Sequence, residues 1–225
     1  SEQALLAGSG LRLSELKQLD SRVSTHKTGR LARRLMRLSG RDDLGIAFGL
    51  LIRPTAHGFL GYAVMSSSTL GEAMRLLHKY FSLHITDFVI NVETDQDTVI
   101  LTVTEGYDFG SMRQVFFEAL LVTCCQHLSS LIGRPLEGLS VHSDWIRPRY
   151  FDGYQDRLPH WKFKQARNQI RFPRKLLSEP LVMADSHSAQ LALSQLEKEV
   201  ATLAMKGAPD IVPRVREALQ PGPDG

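Results

Sequence analysis

A chain of 225 residues, 43% of them hydrophobic and 23% charged, can bury one sizeable domain with at most a small appendage, and it lacks the composition of a disordered chain. Its net charge of +3 at pH 7 falls far short of the concentrated charge of a dedicated nucleic-acid binder. No run approaches the roughly 18 apolar residues of a membrane span, and no basic start followed by an apolar stretch marks an export signal. With only two cysteines, Cys124 and Cys125, side by side and badly placed to pair, the expected setting is a reducing cytoplasm.

Residues 11–52 read as helical. Ser14 is placed to cap LSELKQLD, and Thr28 precedes a stronger helix, GRLARRLMRLSG, with Leu31, Leu35 and Leu38 on one face and Gly40 as its stop. The other face carries Arg30, Arg33, Arg34 and Arg37 at i, i+3, i+4 and i+7. Such a face is more often merely solvated, but it suits phosphates or an acidic ligand. Asp42-Asp43 then opens LGIAFGLLI, which runs to Pro54. A His-Gly-Phe-Leu-Gly-Tyr stretch follows and reads as a turn punctuated by Gly58 and Gly61. Ser68 or Thr69 caps a helix from about Leu70, with Glu72 completing a loose capping box, and Ala73, Leu76, Leu77 and Tyr80 keep the helical period to about Phe81.

The period then drops to two. Phe88, Ile90 and Val92 alternate with Val89, Asn91 and Glu93, Asp95-Gln96-Asp97 turns, and Val99, Leu101 and Val103 alternate with Thr98, Ile100 and Thr102, which predicts a β-hairpin. Ser111 starts a helix of about twenty residues, apolar on nearly every side from Val115 to Cys125 and ended by Gly133 and Pro135, so it should lie buried between layers. A strand at Leu139–His142 and a short helical piece around Tyr150–Arg157 come next. Trp161 and Phe163, then Ile170 and Phe172 across an Arg167-Asn168 turn, predict a second hairpin. A helix from about Ser188 to Met205 sets Leu193, Leu196, Val200 and Leu203 on one stripe, and a Pro/Gly-rich end closes the chain.

The chemistry of an enzyme is not legible. The eight histidines show no HxH or HExxH spacing and the cysteines no CxxC, so no metal is expected. Ser66-Ser67-Ser68 lacks the flanking glycines of a nucleophile elbow, and Gly58 and Gly61 complete no phosphate-binding loop. Neither catalysis nor a cofactor is expected. His57 and Tyr62 each pair a polar tip with an apolar body and are candidates to line a ligand pocket, although a simple role in stapling the turn is the commoner outcome.

The segment from Arg53 to Leu83, RPTAHGFLGYAVMSSSTLGEAMRLLHKYFSL, resembles the middle of the effector domain in one group of AraC/XylS-type transcription regulators, where the pattern is HG-x-x-GYA-x-x-SS-x-TL-x-EA-x-x-LL-x-x-Y. RLMRLSGRDDLGIAFG, FVINVETDQDTVILTVTE, LSSLIGRPL and RNQIRFPRKLLSEPL look like its other blocks, so the likeness spans roughly residues 3–205. The resemblance implies a small-molecule effector resembling an amino acid, a fatty acid or a similar metabolite. It also implies promoter DNA as a partner only through a C-terminal pair of helix-turn-helix motifs that does not follow in this chain, and a homodimer. Sugar-binding members use a cupin-type barrel, which this pattern does not match, so no sugar-contacting residue carries over.

The expectation is an α+β domain over residues 1–207, with N-terminal helices and a mainly antiparallel sheet of five to six strands packed on the long buried helix. Residues 208–225 read as a linker. Its expected function is ligand sensing and dimerisation for a DNA-binding regulator, the alternative being a stand-alone binding or scaffold module. The side chains expected at the ligand are His57, Tyr62, Ser66, Tyr80, Phe116 and Trp161.

Overall fold

The computed structural model describes residues 2–17, 23–84 and 86–205, apart from the side chains of 82–84 and 203–205. The linker expected at 208–225 and the side chain of Leu203 lie outside the described residues. Six helices come first: α1 (Glu2–Leu6), α2 (Leu13–Leu16), α3 (Thr25–Ser39), α4 (Leu44–Gly49), α5 (Gly58–Ser66) and α6 (Leu70–His84). Strands β1 (Phe88–Asp95) and β2 (Thr98–Glu105) lead to α7 (Arg113–Ile132). Then follow β3 (Ser140–His142), β4 (His160–Lys162), β5 (Asn168–Pro173) and α8 (Ser186–Met205).

Helix starts follow local hydrogen-bond chemistry, with two corrections. Ser14 and Thr28 sit inside α2 and α3 rather than capping them. Ser24 caps α3 by accepting from the Lys27 amide, and at α2 the Glu15 carboxylate reaches back to the Arg12 amide at 2.7 Å. Gly40 stops α3 in the left-handed conformation, φ 64°, as expected. At α6, Thr69 Oγ1 accepts from the Glu72 amide at 3.3 Å. The Glu72 carboxylate answers on the Ser68 amide at 2.8 Å, one residue further out than an ideal capping box.

The five strands form one sheet in the order β1-β2-β5-β3-β4. The first hairpin is as expected, pairing Phe88 with Glu105 through to Asp95 with Thr98. The second is not a hairpin. β3 lies between β4 and β5, antiparallel to β5 (Val141 opposite Ile170) and parallel to β4 (Val141 opposite Trp161). The reason lies in the backbone after β4. The Lys164 amide donates to the Trp145 carbonyl, and the Gln165 amide donates to the Ser143 carbonyl. The chain leaving β4 is thus stitched to the chain leaving β3 and crosses its end instead of folding back on itself. The Trp161 indole N–H reinforces this by donating to Ser143 Oγ at 2.9 Å.

Helix α7 is the core's centre. Phe117, Leu121 and Val122 are fully buried on it, and it packs against α4, α6 and β5. It is long and apolar enough by composition to cross a membrane, but here its apolar sides meet other elements of the domain. Helix α4 crosses it closely because Gly45 and Gly49 have no side chain. A Cβ at Gly45 would stand 2.5 Å from the Val115 carbonyl oxygen, and one at Gly49 would stand 2.7 Å from Val122 Cβ. At the start of α7, Arg113 binds Glu105 at 3.0 Å and Asp144 at 2.8 Å, which ties the helix to β2 and to the loop after β3.

Among the described residues, one carboxyl group lies inside this core. Glu118 is 1% exposed; its Oε1 accepts from Gln114 Nε2 at 2.9 Å and from the Tyr150 hydroxyl at 2.8 Å, while Oε2 has no partner. Tyr150 belongs to a 3-10 segment, Arg149–Arg157, whose Tyr154 donates to Asp43 at 2.6 Å. Burial raises the Glu118 pKa to about 7, whereas Arg41 and Tyr154 hold Asp43 down at about 2.

Glu118 therefore carries a proton in the folded chain at pH values where the unfolded chain, near pKa 4.5, has lost it. Its contribution to stability falls as pH rises from about 4.5 to about 7, by up to ~3 kcal/mol at about 1.4 kcal/mol per unit. Glu118→Gln keeps an oxygen for Tyr150 and abolishes the titration. In urea unfolding at a series of pH values, the stability of the variant relative to wild type should climb across that window. A difference that stays constant from pH 5 to pH 8 would contradict the protonated assignment.

Candidate functional site

The six side chains expected at a ligand do not converge. The His-Gly-Phe-Leu-Gly-Tyr stretch is not an open turn. A short 3-10 turn, Pro54–His57, runs directly into α5, with Gly58 at φ 57° making the change of direction. Gly61 lies inside α5, where a Cβ would stand 2.0 Å from the Pro54 carbonyl oxygen. Two glycines are required here for different reasons, one for backbone conformation and one for contact.

His57 turns inward and meets His127 of α7 edge to face at 5.3 Å, and His127 Nε2 lies 3.2 Å from the Ile52 carbonyl. Burial lowers the pKa of both rings, and His57 adds to the lowering at His127, to about 4. His127 is thus neutral when folded. Its contribution is present above the unfolded value near 6.5 and is lost as pH falls toward 4, opposite in sign to Glu118. Tyr62 is 51% exposed on the outer side of α5. Ser66 ends α5, and its carbonyl accepts from the Asp185 amide at 3.0 Å. Tyr80 is wholly buried and feels the charge of Glu197 on α8, while Trp161 is held in β4.

Phe116 is the exception. It stacks on Phe109 at 4.9 Å and lines a cleft of about 190 Å³ between α3 and the chain entering α7. Tyr107 and Phe109 give this cleft an aromatic wall, and Gly29, Arg30 and Arg33 of α3 form the opposite side. A second cleft of about 200 Å³ lies along the same helix, walled by Arg30, Arg33, Arg34 and Arg37 with Ala7 and Gly8. The arginine face was legible from spacing alone. Tyr107 and Phe109 were not, because they lie outside any periodic element and come to α3 only through the fold.

Cys124 and Cys125 offer no reactive thiol. Both are free, and burial pushes Cys124 up to about 12 and Cys125 well above its ordinary value.

Residues 1–181 match the family described as the arabinose-binding domain of AraC transcription regulators, N-terminal. The chain is 27% identical over 220 residues to the ornithine utilization regulator of Pseudomonas aeruginosa, covering 97% of this chain and 64% of that protein. It is 26% identical over 204 residues to an HTH-type transcriptional regulator of Mycobacterium bovis, covering 86% of this chain and 58% of the relative. The crystal structure of transcriptional regulator CdpR from Pseudomonas aeruginosa shares the fold with a TM-score of 0.63 at 22% identity, over 96% of this chain and 65% of that one. The chain thus spans less than two thirds of the length of each of these proteins.

The close contact at Gly61 makes a direct test of how α5 is seated. Gly61→Ala should lower stability by about 3 kcal/mol, because a methyl group would be driven into a backbone carbonyl that cannot rotate away. Gly153→Ala, where a Cβ meets nothing within 4 Å, should stay within about 0.5 kcal/mol of wild type. Equal denaturation midpoints for the two variants would show that α5 does not pack on Pro54 in this way.

Proposed function

The chain belongs to the AraC transcription regulators that carry this N-terminal domain, and on that premise we propose that it is the ligand-sensing and dimerising half of such a regulator. The observation that carries this reading is the family match over residues 1–181. Two clefts beside α3 support it, one of them joining an aromatic wall to cationic side chains, the mixture a metabolite site uses. The relatives are named as regulators rather than enzymes, in keeping with a role in binding and not in catalysis. A regulator of this kind works in the cytoplasm, and promoter DNA is read by a C-terminal pair of helix-turn-helix motifs rather than by this domain. Of the six side chains expected at the effector, the proposed site keeps Phe116.

Effector binding to the folded chain alone raises its melting temperature by an amount set by RT ln(1 + [L]/Kd). Thermal shift against a library of cellular metabolites should therefore find a compound whose effect grows with concentration. A library without a stabilising compound would overturn the sensing role.

Pairing of two copies is the second part of the proposal. The apolar stripe of α8 is used within the chain, since Leu196 and Val200 are buried and α8 packs on α5. Among the exposed large apolar side chains are Phe48 at 60% and Leu51 at 75%, three residues apart at the end of α4, with Phe59 and Tyr62 exposed on α5. A two-fold contact built on Phe48 and Leu51 should give a dimer mass in light scattering at high micromolar concentration, and Phe48→Asp with Leu51→Asp should return a folded monomer. A wild-type chain of monomer mass would refute it.

A further inference from the structure

The charge of α3 is unbalanced in a way that names a ligand class. Arg30, Arg33, Arg34 and Arg37 stand within two turns of one another, and among the described residues none of them forms an ion pair with a carboxylate. Their hydrogen bonds go to neutral acceptors. Arg34 donates to the Ala4 carbonyl, and Arg33 Nη2 donates weakly to Ser111 Oγ at 3.4 Å. Arg30 is partly buried, with its Nε shielded from solvent and without an acceptor, and its guanidinium lies so close to Gly10 that a Cβ there would stand 2.7 Å from Nη2. Like charges three and four residues apart destabilise a helix, and a buried donor left unmatched adds to that cost. A protein that keeps such an arrangement gains from an anion that relieves it.

We propose that the two clefts form one site for a small organic anion with an apolar ring or short apolar body. Its carboxylate or phosphate is held by Arg30 and Arg33, and its body lies against Tyr107, Phe109 and Phe116. Arg30 and Arg33 line both clefts, so an anionic group between them reaches the arginine side and leaves its body on the aromatic side. Polarity fixes this orientation. The first cleft also contains Asp108, whose carboxylate accepts from the Gly110 amide at 2.8 Å and would repel an anion, whereas among the described residues none lining the second is acidic. The other polar side-chain groups lining the first cleft are those of His26, Thr25 and the Tyr107 hydroxyl, and the Thr25 hydroxyl is already engaged by Asp87. At about 190 and 200 Å³ the clefts lie below the ~300 Å³ at which drug-sized pockets begin, which suits a metabolite. Duplex DNA fits less well, because Ala7 and Gly8 wall the arginine row and leave a cleft rather than an open ridge.

This inference rests on the sensing role, and its test separates the two. The probes are phenyl phosphate, benzoate, inorganic phosphate, benzyl alcohol and a short duplex DNA, each titrated against the chain by thermal shift at constant ionic strength. Phenyl phosphate and benzoate should raise the melting temperature at millimolar concentration, inorganic phosphate should do so less, and benzyl alcohol should not. Arg30→Gln and Arg33→Gln should each weaken phenyl phosphate about tenfold or more. Phe116→Ala should weaken phenyl phosphate and leave inorganic phosphate unchanged. Without a probe, Arg33→Gln should melt at or above the wild-type temperature, since it removes repulsion; this also checks that the variant folds. The site is overturned if neither aromatic anion stabilises the chain, if benzyl alcohol does so equally, or if DNA alone does. A metabolite from the library whose effect survives Arg30→Gln and Arg33→Gln would also overturn the site while leaving the sensing role intact.

Discussion

The crossing of α4 over α7 is the contact on which the rest of the domain depends. Two glycines one turn apart let the helix backbones approach until Gly45 meets the Val115 carbonyl and Gly49 meets Val122. The same approach encloses Glu118 and leaves one of its oxygens without a donor. Its other oxygen, with Asp43 at the start of α4, takes the hydroxyls of Tyr150 and Tyr154, so the 3-10 segment between β3 and β4 is pinned across the crossing at two points. A leucine at 118 would avoid the cost of desolvation, but it would also release Tyr150. The buried carboxyl exchanges stability for a fixed position of the segment that leads into β4.

The sheet and the cleft depend on this arrangement from opposite sides. On one side, Arg113 at the start of α7 joins Glu105 of β2 to Asp144 after β3 and lies over the Phe117 ring at 4.6 Å, so the helix is oriented by charge as well as by burial. On the other, Phe116 faces α3 and stacks on Phe109 while Phe117 faces the core, the two rings being neighbours in sequence with opposite duties. Gly29 is buried close to the Phe116 ring, so α3 reaches the body of the domain at a point beside its arginines. Whatever fills the cleft is therefore in touch with the helix that organises the core.

How much of this was legible from sequence depended on how local each feature is. The hairpin of β1 and β2, the stop at Gly40 and the burial of α7 follow from periods and caps that a short window contains. The pairing of β4 is not local. Trp161-Lys162-Phe163 and Ile170-Arg171-Phe172 have the alternation of a hairpin, and only the amides of Lys164 and Gln165, bonded to Trp145 and Ser143, decide otherwise. At the site, the arginine spacing was readable because it is helical, whereas His57 and Tyr62 drew attention for their polar tips. One of them is packed on a second histidine and the other faces outward. Side chains of mixed polarity mark a pocket only when the fold brings them together, and nothing in their own neighbourhood reports that.

The place of β5 between β2 and β3 bears on how the chain is made. Thr102 pairs with Gln169 across 67 positions, and β5 is the last of the described strands to be synthesised, so the sheet stays open until residue 173 has emerged. During that interval the hairpin of β1 and β2 displays Leu101 and Val103 without a neighbouring strand, and α7 lacks part of its cover. Non-local closure of this kind slows folding and leaves apolar surface open to other molecules. For this domain the vulnerable stage is therefore the interval before β5 emerges, and a pause before residue 168 would prolong it.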